Sequence, residues 1–82
     1  MSTIASTYAV RLFAGLESRT RDARTALEVA PADAPTVGKL TARLGLAPGA
    51  TGLVLVNGLH APADQELRAG DEVSLFPPLG GG

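Results

Sequence analysis

The chain has 82 residues, 45% of them hydrophobic, a formal net charge of −1, ten glycines, six prolines and no cysteine. That length makes one domain with a thin core, burying little more than about 60% of its unfolded surface, and leaves little volume for an enclosed active site. The composition supplies no basic footprint for nucleic acid, no apolar run able to span a bilayer, and no disulfide framework, thiolate nucleophile or cysteine-based metal site.

The N-terminus carries no basic segment followed by an apolar block, so no signal peptide and a cytoplasmic protein are expected. Residues 1–6 are short and polar and are expected to be loose. Residues 7–14 (Thr-Tyr-Ala-Val-Arg-Leu-Phe-Ala) read as a strand. Tyr8, Val10 and Leu12 share one face, and Ala9, Arg11 and Phe13 the other. Arg11 marks the second face as partly wet, which makes Phe13 an anomaly there. Residues 15–24 carry Glu17, Arg19, Arg21, Asp22 and Arg24 and read as a solvated loop with room for a helical turn. Residues 25–30 predict a second strand, antiparallel to the first, with Leu27 and Val29 facing in and Glu28 out.

After Pro31-Ala32-Asp33-Ala34-Pro35, Thr36 is a good N-cap, and Val37, Leu40 and Leu44 form an i, i+3, i+7 stripe. Lys39 at N3 gives no capping box, and Gly45 stands where a C′ glycine ends a helix. Residues 46–52 read as irregular. Leu53-Val54-Leu55-Val56 is a short apolar run suited to a strand buried on one or both faces. Asn57-Gly58 is the strongest two-residue turn signal, so the chain is expected to fold back from Leu59. His60 is the sole histidine, with neither cysteine nor a second histidine to join it, and reads as a surface residue. Residues 61–69 form a loop anchored by Leu67. Gly70-Asp71 is a turn before a last strand over residues 72–76, in which Val73 and Leu75 point one way and Ser74 and Phe76 the other.

The chain then runs into Pro77-Pro78-Leu79-Gly80-Gly81-Gly82. Both prolines fix φ and favour an extended path. Three glycines add no side chain around the last carboxylate, so the tail is expected to be thin enough to thread a narrow channel in another protein. A frayed end is the plain alternative. The division is thus a body over residues 1–76 and a flexible tail over residues 77–82. Strand, strand, helix, strand, weak strand, strand suits an α+β fold, a mixed sheet of four to five strands with one helix across one face.

Val56-Asn57-Gly58, then Leu67-Arg68-Ala69-Gly70-Asp71-Glu72-Val73, then Leu75-Phe76-Pro77-Pro78-Leu79-Gly80-Gly81-Gly82 together resemble the MoaD/ThiS-type sulfur carriers, which are ubiquitin-like β-grasp proteins. The resemblance covers essentially the whole chain, and Phe76-Pro77-Pro78 leans towards the MoaD branch. A third glycine, Gly80, departs from the usual ending and leaves the sulfur pathway open. The resemblance implies a parallel pairing of the last strand with the first. It also implies that Gly82 carries the adenylate and then the thiocarboxylate, and that Gly80 and Gly81 thread a partner's active site. Phe76, Pro77, Pro78 and Leu79 would meet that partner, with core packing the alternative for Phe76.

The implied partners are a ubiquitin-activating-type adenylating enzyme, a sulfur donor, and an acceptor such as a molybdopterin-synthase large subunit. ATP and Mg²⁺ would be used by the activating enzyme; no cofactor bound to this chain and no metal site are expected. One histidine, no cysteine and no paired acids leave the chain without a catalytic constellation of its own, so it is expected to be a carrier and not an enzyme. A ubiquitin-like modifier joined to target lysines through Gly82 needs the same activation, and an interaction module with an inert tail is the third reading.

Overall fold

The computed structural model describes residues 6–47 and 49–78. Strands β1 (Tyr8–Leu12), β2 (Ala26–Val29), β3 (Leu53–Val56), β4 (Leu59–His60) and β5 (Glu72–Phe76) form one sheet in the order β2-β1-β5-β3-β4. β1 pairs antiparallel with β2 and parallel with β5, while β3 is antiparallel to both β5 and β4. Helix α1 (Val37–Arg43) covers one face, contributing Val37 and Leu40 to the same core as the strands. This is the expected β-grasp arrangement, with the last strand at the centre beside the first.

Alternation sets the two faces. Tyr8, Val10, Leu12, Val54, Val56, Val73 and Leu75 are all buried, each on the side that meets α1. Burying a side chain of this size contributes about 1.5–3 kcal/mol, so the inner face is the main source of stability. Tyr8 is the one polar-tipped member, and its hydroxyl donates to the Ala34 carbonyl oxygen at 2.7 Å. Burial pushes its phenol up from 10.0 to about 12, with Arg43 opposing the shift and Asp33 adding to it.

The helix is short because its ends are both fixed. Thr36 Oγ1 accepts from the Lys39 amide at 3.2 Å. The preceding orphan donors are satisfied by the 61–69 loop: Val37 N–H donates to Gln65 O and Gly38 N–H to Ala63 O. At the other end Gly45 has φ of 82°. Its N–H donates to Ala42 O, and that of Leu46 to Thr41 O. That is the paired bonding of a Schellman stop, with buried Leu46 as its apolar contact.

One boundary differs from the sequence reading, one loop holds an apolar anchor that the reading missed, and one open alternative is resolved. β1 ends at Leu12 and not at Ala14, which takes a positive φ of 56°. The 15–24 segment holds a 3₁₀ turn, Leu16–Arg19, whose Leu16 is fully buried. Its charged neighbours mask that anchor in the sequence. The Leu53–Val56 run is buried on one face only, since Leu53 stays exposed. The expectations for residues 1–5 and for Leu79, Gly80, Gly81 and Gly82 lie outside the described residues.

Candidate functional site: the exit of the C-terminal stem

β5 is held on both sides up to its last residue. Phe13 N–H donates to Leu75 O at 3.0 Å from the β1 side, and Gly52 N–H donates to Phe76 O at 2.8 Å from the β3 side. Pro77 and Pro78 then follow with no N–H to offer, so the ladder stops by chemistry at Phe76. The stem therefore leaves the sheet at a fixed point on its central strand.

The stem passes directly over Gly52. A Cβ at that position would lie 2.4 Å from Pro78 Cα and 2.9 Å from the Pro77 carbonyl oxygen. Both are backbone atoms and cannot rotate aside, so only glycine permits this close approach. Pro77 is half-buried and Pro78 exposed.

Beside the exit, the outer face of the sheet is apolar. Phe76 stacks on Phe13 with ring centroids 4.8 Å apart and planes 11° from parallel, a stabilising offset geometry for two aromatics. Phe76 is also paired with Leu53 across β5 and β3, which puts Leu53 on the same face. Phe13 is 38% exposed and Leu53 36%. Arg11 and Ser74, paired in register, continue this face beyond the aromatic stack. A small apolar patch with one cation at its margin thus surrounds the root of the tail. Such a patch is suited to docking a partner.

Of the residues singled out in the sequence, Phe76, Pro77 and Pro78 come together at this exit. Phe76 lies outside the core, half-buried on the outer face, so core packing does not account for it. Gly80, Gly81, Gly82 and Leu79 lie outside the described residues. His60 is exposed in β4. Among the described residues, no group of histidine, aspartate and glutamate side chains is arranged to hold a metal ion, and no helix is long and apolar enough to cross a membrane.

Gly52, Phe13 and Leu53 are the site residues that sequence reasoning misses. Phe13 gives a signal, an aromatic sharing the parity of Arg11. Gly52 gives none, because its contact with Pro78 is made only once β3 and β5 pair.

Comparison with known proteins agrees with this architecture. The ThiS family model matches residues 10–82. The crystal structure of SAMP1 from Haloferax volcanii is similar at 31% identity and a TM-score of 0.67, covering 93% of this chain and 99% of that one. The solution structure of Urm1 from Trypanosoma brucei is similar at 25% identity over the whole of both chains, with a TM-score of 0.70. A complex of subunits 1 and 2 of the molybdopterin-converting factor from Helicobacter pylori includes a chain 24% identical, with 93% of this chain and 99% of that one covered and a TM-score of 0.61. That likeness speaks for the fold alone. No sequence among curated proteins matches significantly. With the family model spanning nearly the whole chain and the β-grasp topology in place, the chain belongs to the ThiS family of ubiquitin-like proteins, small carriers and not catalysts.

Proposed function

We propose that the protein is a sulfur carrier whose working group is the α-carboxylate of Gly82. The observation that supports this most is the placement of the stem. A family match reaching residue 82 is joined to an exit fixed at Phe76, aimed over Gly52 and bordered by Phe13 and Leu53.

The chemistry asks for such a handle. An α-carboxylate titrates near 3.5, so at neutral pH it is ionised and a poor electrophile. In the proposed cycle a ubiquitin-activating-type enzyme, using ATP and Mg²⁺, lets the Gly82 carboxylate attack the α-phosphorus. Pyrophosphate leaves and an acyl-adenylate forms. A donor that delivers sulfur at the sulfide level then displaces AMP, leaving a thiocarboxylate on Gly82 that passes its sulfur to an acceptor enzyme, with water restoring the Gly82 carboxylate. Gly80 and Gly81 thread the partner's channel, while Leu79, Pro78, Pro77 and Phe76 meet its surface. Two prolines keep the ordering cost of that docking small. The molybdopterin branch is the favoured acceptor pathway, resting on Phe76-Pro77-Pro78, and an ATP-dependent partner sets the cycle in the cytoplasm.

A short tag appended after Gly82 tests the assignment. Pyrophosphate release by the activating enzyme and sulfur loading should both be lost, with the melting temperature unchanged because the buried elements end at β5. A tagged protein that still accepts sulfur would overturn it. The similarity to SAMP1, a small archaeal modifier protein, favours a second reading, in which the Gly82 adenylate acylates lysines of target proteins. Covalent conjugates that disappear on deletion of Gly81-Gly82 would establish that route.

A further inference from the structure

Asn57-Gly58 is a strong signal in the sequence to which the sulfur chemistry gives no part. Both residues are exposed and left-handed, with φ of 53° and 82°, as a two-residue type I′ turn between β3 and β4 requires. The same pair is chemically labile. A side-chain carboxamide can be attacked by the next backbone nitrogen, and glycine leaves that nitrogen least shielded because it has no Cβ. Asparagine is for this reason among the thermolabile residues. The Gly58 N–H donates to no acceptor among the described residues, so the attacking nitrogen is not tied up. Asn57 is also the only asparagine in the chain.

The side chain of Asn57 is held at both ends of its amide. Nδ2 donates to Asp71 Oδ1 at 3.0 Å, and Oδ1 accepts from the Glu72 N–H. Asp71 is fixed in turn, since its Oδ2 accepts from the Arg68 N–H. The carboxamide is therefore drawn across to the start of β5, away from its own turn.

We infer that Asn57 is a site of spontaneous deamidation, that the bonds to Asp71 and Glu72 guard it, and that its reaction opens the clamp at the start of β5. The Gly58 nitrogen gives up its proton and bonds to Asn57 Cγ. The Cγ–Nδ2 bond breaks, ammonia leaves, and a succinimide ring remains. Water then opens the ring, leaving aspartate at position 57 or isoaspartate, whose main chain runs through the side-chain carbon. Water is the only co-reactant. Either product ends the clamp. Aspartate puts a carboxylate oxygen where Nδ2 stood, 3.0 Å from Asp71 Oδ1, and two carboxylates that close cannot both stay ionised. Isoaspartate adds a carbon to the hairpin backbone, so the two-residue β4 loses its register on β3. β5 begins at Glu72 and ends at the stem, so the damage falls on the strand that carries the tail. The inference stands whatever becomes of Gly82.

The test ages the full chain in buffer and in guanidinium chloride, following released ammonia and intact mass. A gain equal to the exchange of one NH for one O is expected, mapped to position 57 as aspartyl and isoaspartyl forms. The folded protein should react about tenfold or more slowly than the unfolded chain, the equivalent of opening one or two hydrogen bonds. Asp71→Ala removes one of those bonds and should speed the folded-state reaction about tenfold. Leu16→Val trims a buried side chain at the tail end of the sheet and loosens the fold without touching the clamp; it should leave the rate unchanged. Asn57→Asp should lower Tm, and adding Asp71→Asn should restore it. The amide then at position 71 can donate to the new carboxylate and still accept from the Arg68 N–H. A mass that stays constant in guanidinium chloride would overturn the site. Equal rates in buffer and denaturant, or a Leu16→Val rate raised as far as that of Asp71→Ala, would overturn the guard. A wild-type Tm in Asn57→Asp would overturn the consequence. Should Asp71→Ala not fold, the comparison of buffer with denaturant and the paired exchange at 57 and 71 decide the matter.

Discussion

At the scale of single residues, Gly52 carries the most direct link between packing and the proposed chemistry. Gly52→Ala puts a methyl group where Pro78 Cα and Pro77 O now lie, so the stem must shift by about 1 Å. Displacements of that order cost about tenfold or more in a positioned reaction. Adenylation by the partner is expected to fall by that much. Stability should fall by only about 1 kcal/mol, the worth of the Gly52–Phe76 hydrogen bond. Pyrophosphate release measured beside a urea midpoint separates the two, and a loss of activation no larger than the unfolded fraction explains would contradict the account.

Tyr8 gives a second prediction at this scale. Its folded-state value of about 12 stands above the ordinary 10.0 because burial disfavours the phenolate. Its contribution to stability is therefore complete below pH 10 and lost as pH rises through about 12. Tyr8→Phe should flatten that alkaline loss. It should also cost about 1–2 kcal/mol at neutral pH, through the unpaired Ala34 carbonyl. An unchanged alkaline unfolding curve in the variant would contradict the assignment.

Among the elements, the turns at the far end of β5 from the tail are tied to each other. Asn57 Nδ2 donates to Asp71 Oδ1 at 3.0 Å, and the Glu72 amide donates to Asn57 Oδ1 at 2.9 Å. Asp71 Oδ2 accepts from the Arg68 amide at 2.8 Å. Asp71→Ala removes two of these bonds at an exposed site and should cost about 1–2 kcal/mol. For a domain of this size that lowers Tm by roughly 6–12 °C. A thermal melt within 1 °C of the wild type, roughly, would show that the clamp contributes little.

Each turn is legible in the sequence, as Asn57-Gly58 and as Gly70-Asp71, because local backbone chemistry dictates both. The bond between them is not, since Asn57 and Asp71 are 14 residues apart and meet only through the register of β3 on β5. The same contrast holds for α1. Its Thr36 cap and Gly45 stop are local signals, whereas the carbonyls of Ala63 and Gln65 that complete its N-terminus come from a distant loop. Leu16 illustrates the limit most sharply: one buried leucine among five charges leaves no periodic trace.

At the scale of the whole molecule, a thin aliphatic core supports a central strand that ends in a rigid stem. The parallel pairing of β1 with β5 places Phe13 beside Phe76, and the antiparallel pairing of β3 places Gly52 beneath Pro78. Thus the sheet order that makes the fold also aims the Pro77-Pro78 stem. The expectation of a tail rests on local signals, because prolines and glycines announce their backbone behaviour. The surface around its root is not, because the stack of Phe13 on Phe76 spans the sequence from end to end and depends on topology.

The measurement that bears most directly on this account is an intact mass after incubation with ATP, Mg²⁺, an activating enzyme and a sulfur source. The account predicts a gain equal to the exchange of one oxygen for one sulfur, mapped by fragmentation to Gly82. An unchanged mass with several competent activating enzymes, or sulfur located anywhere but the C-terminal glycine, would contradict it.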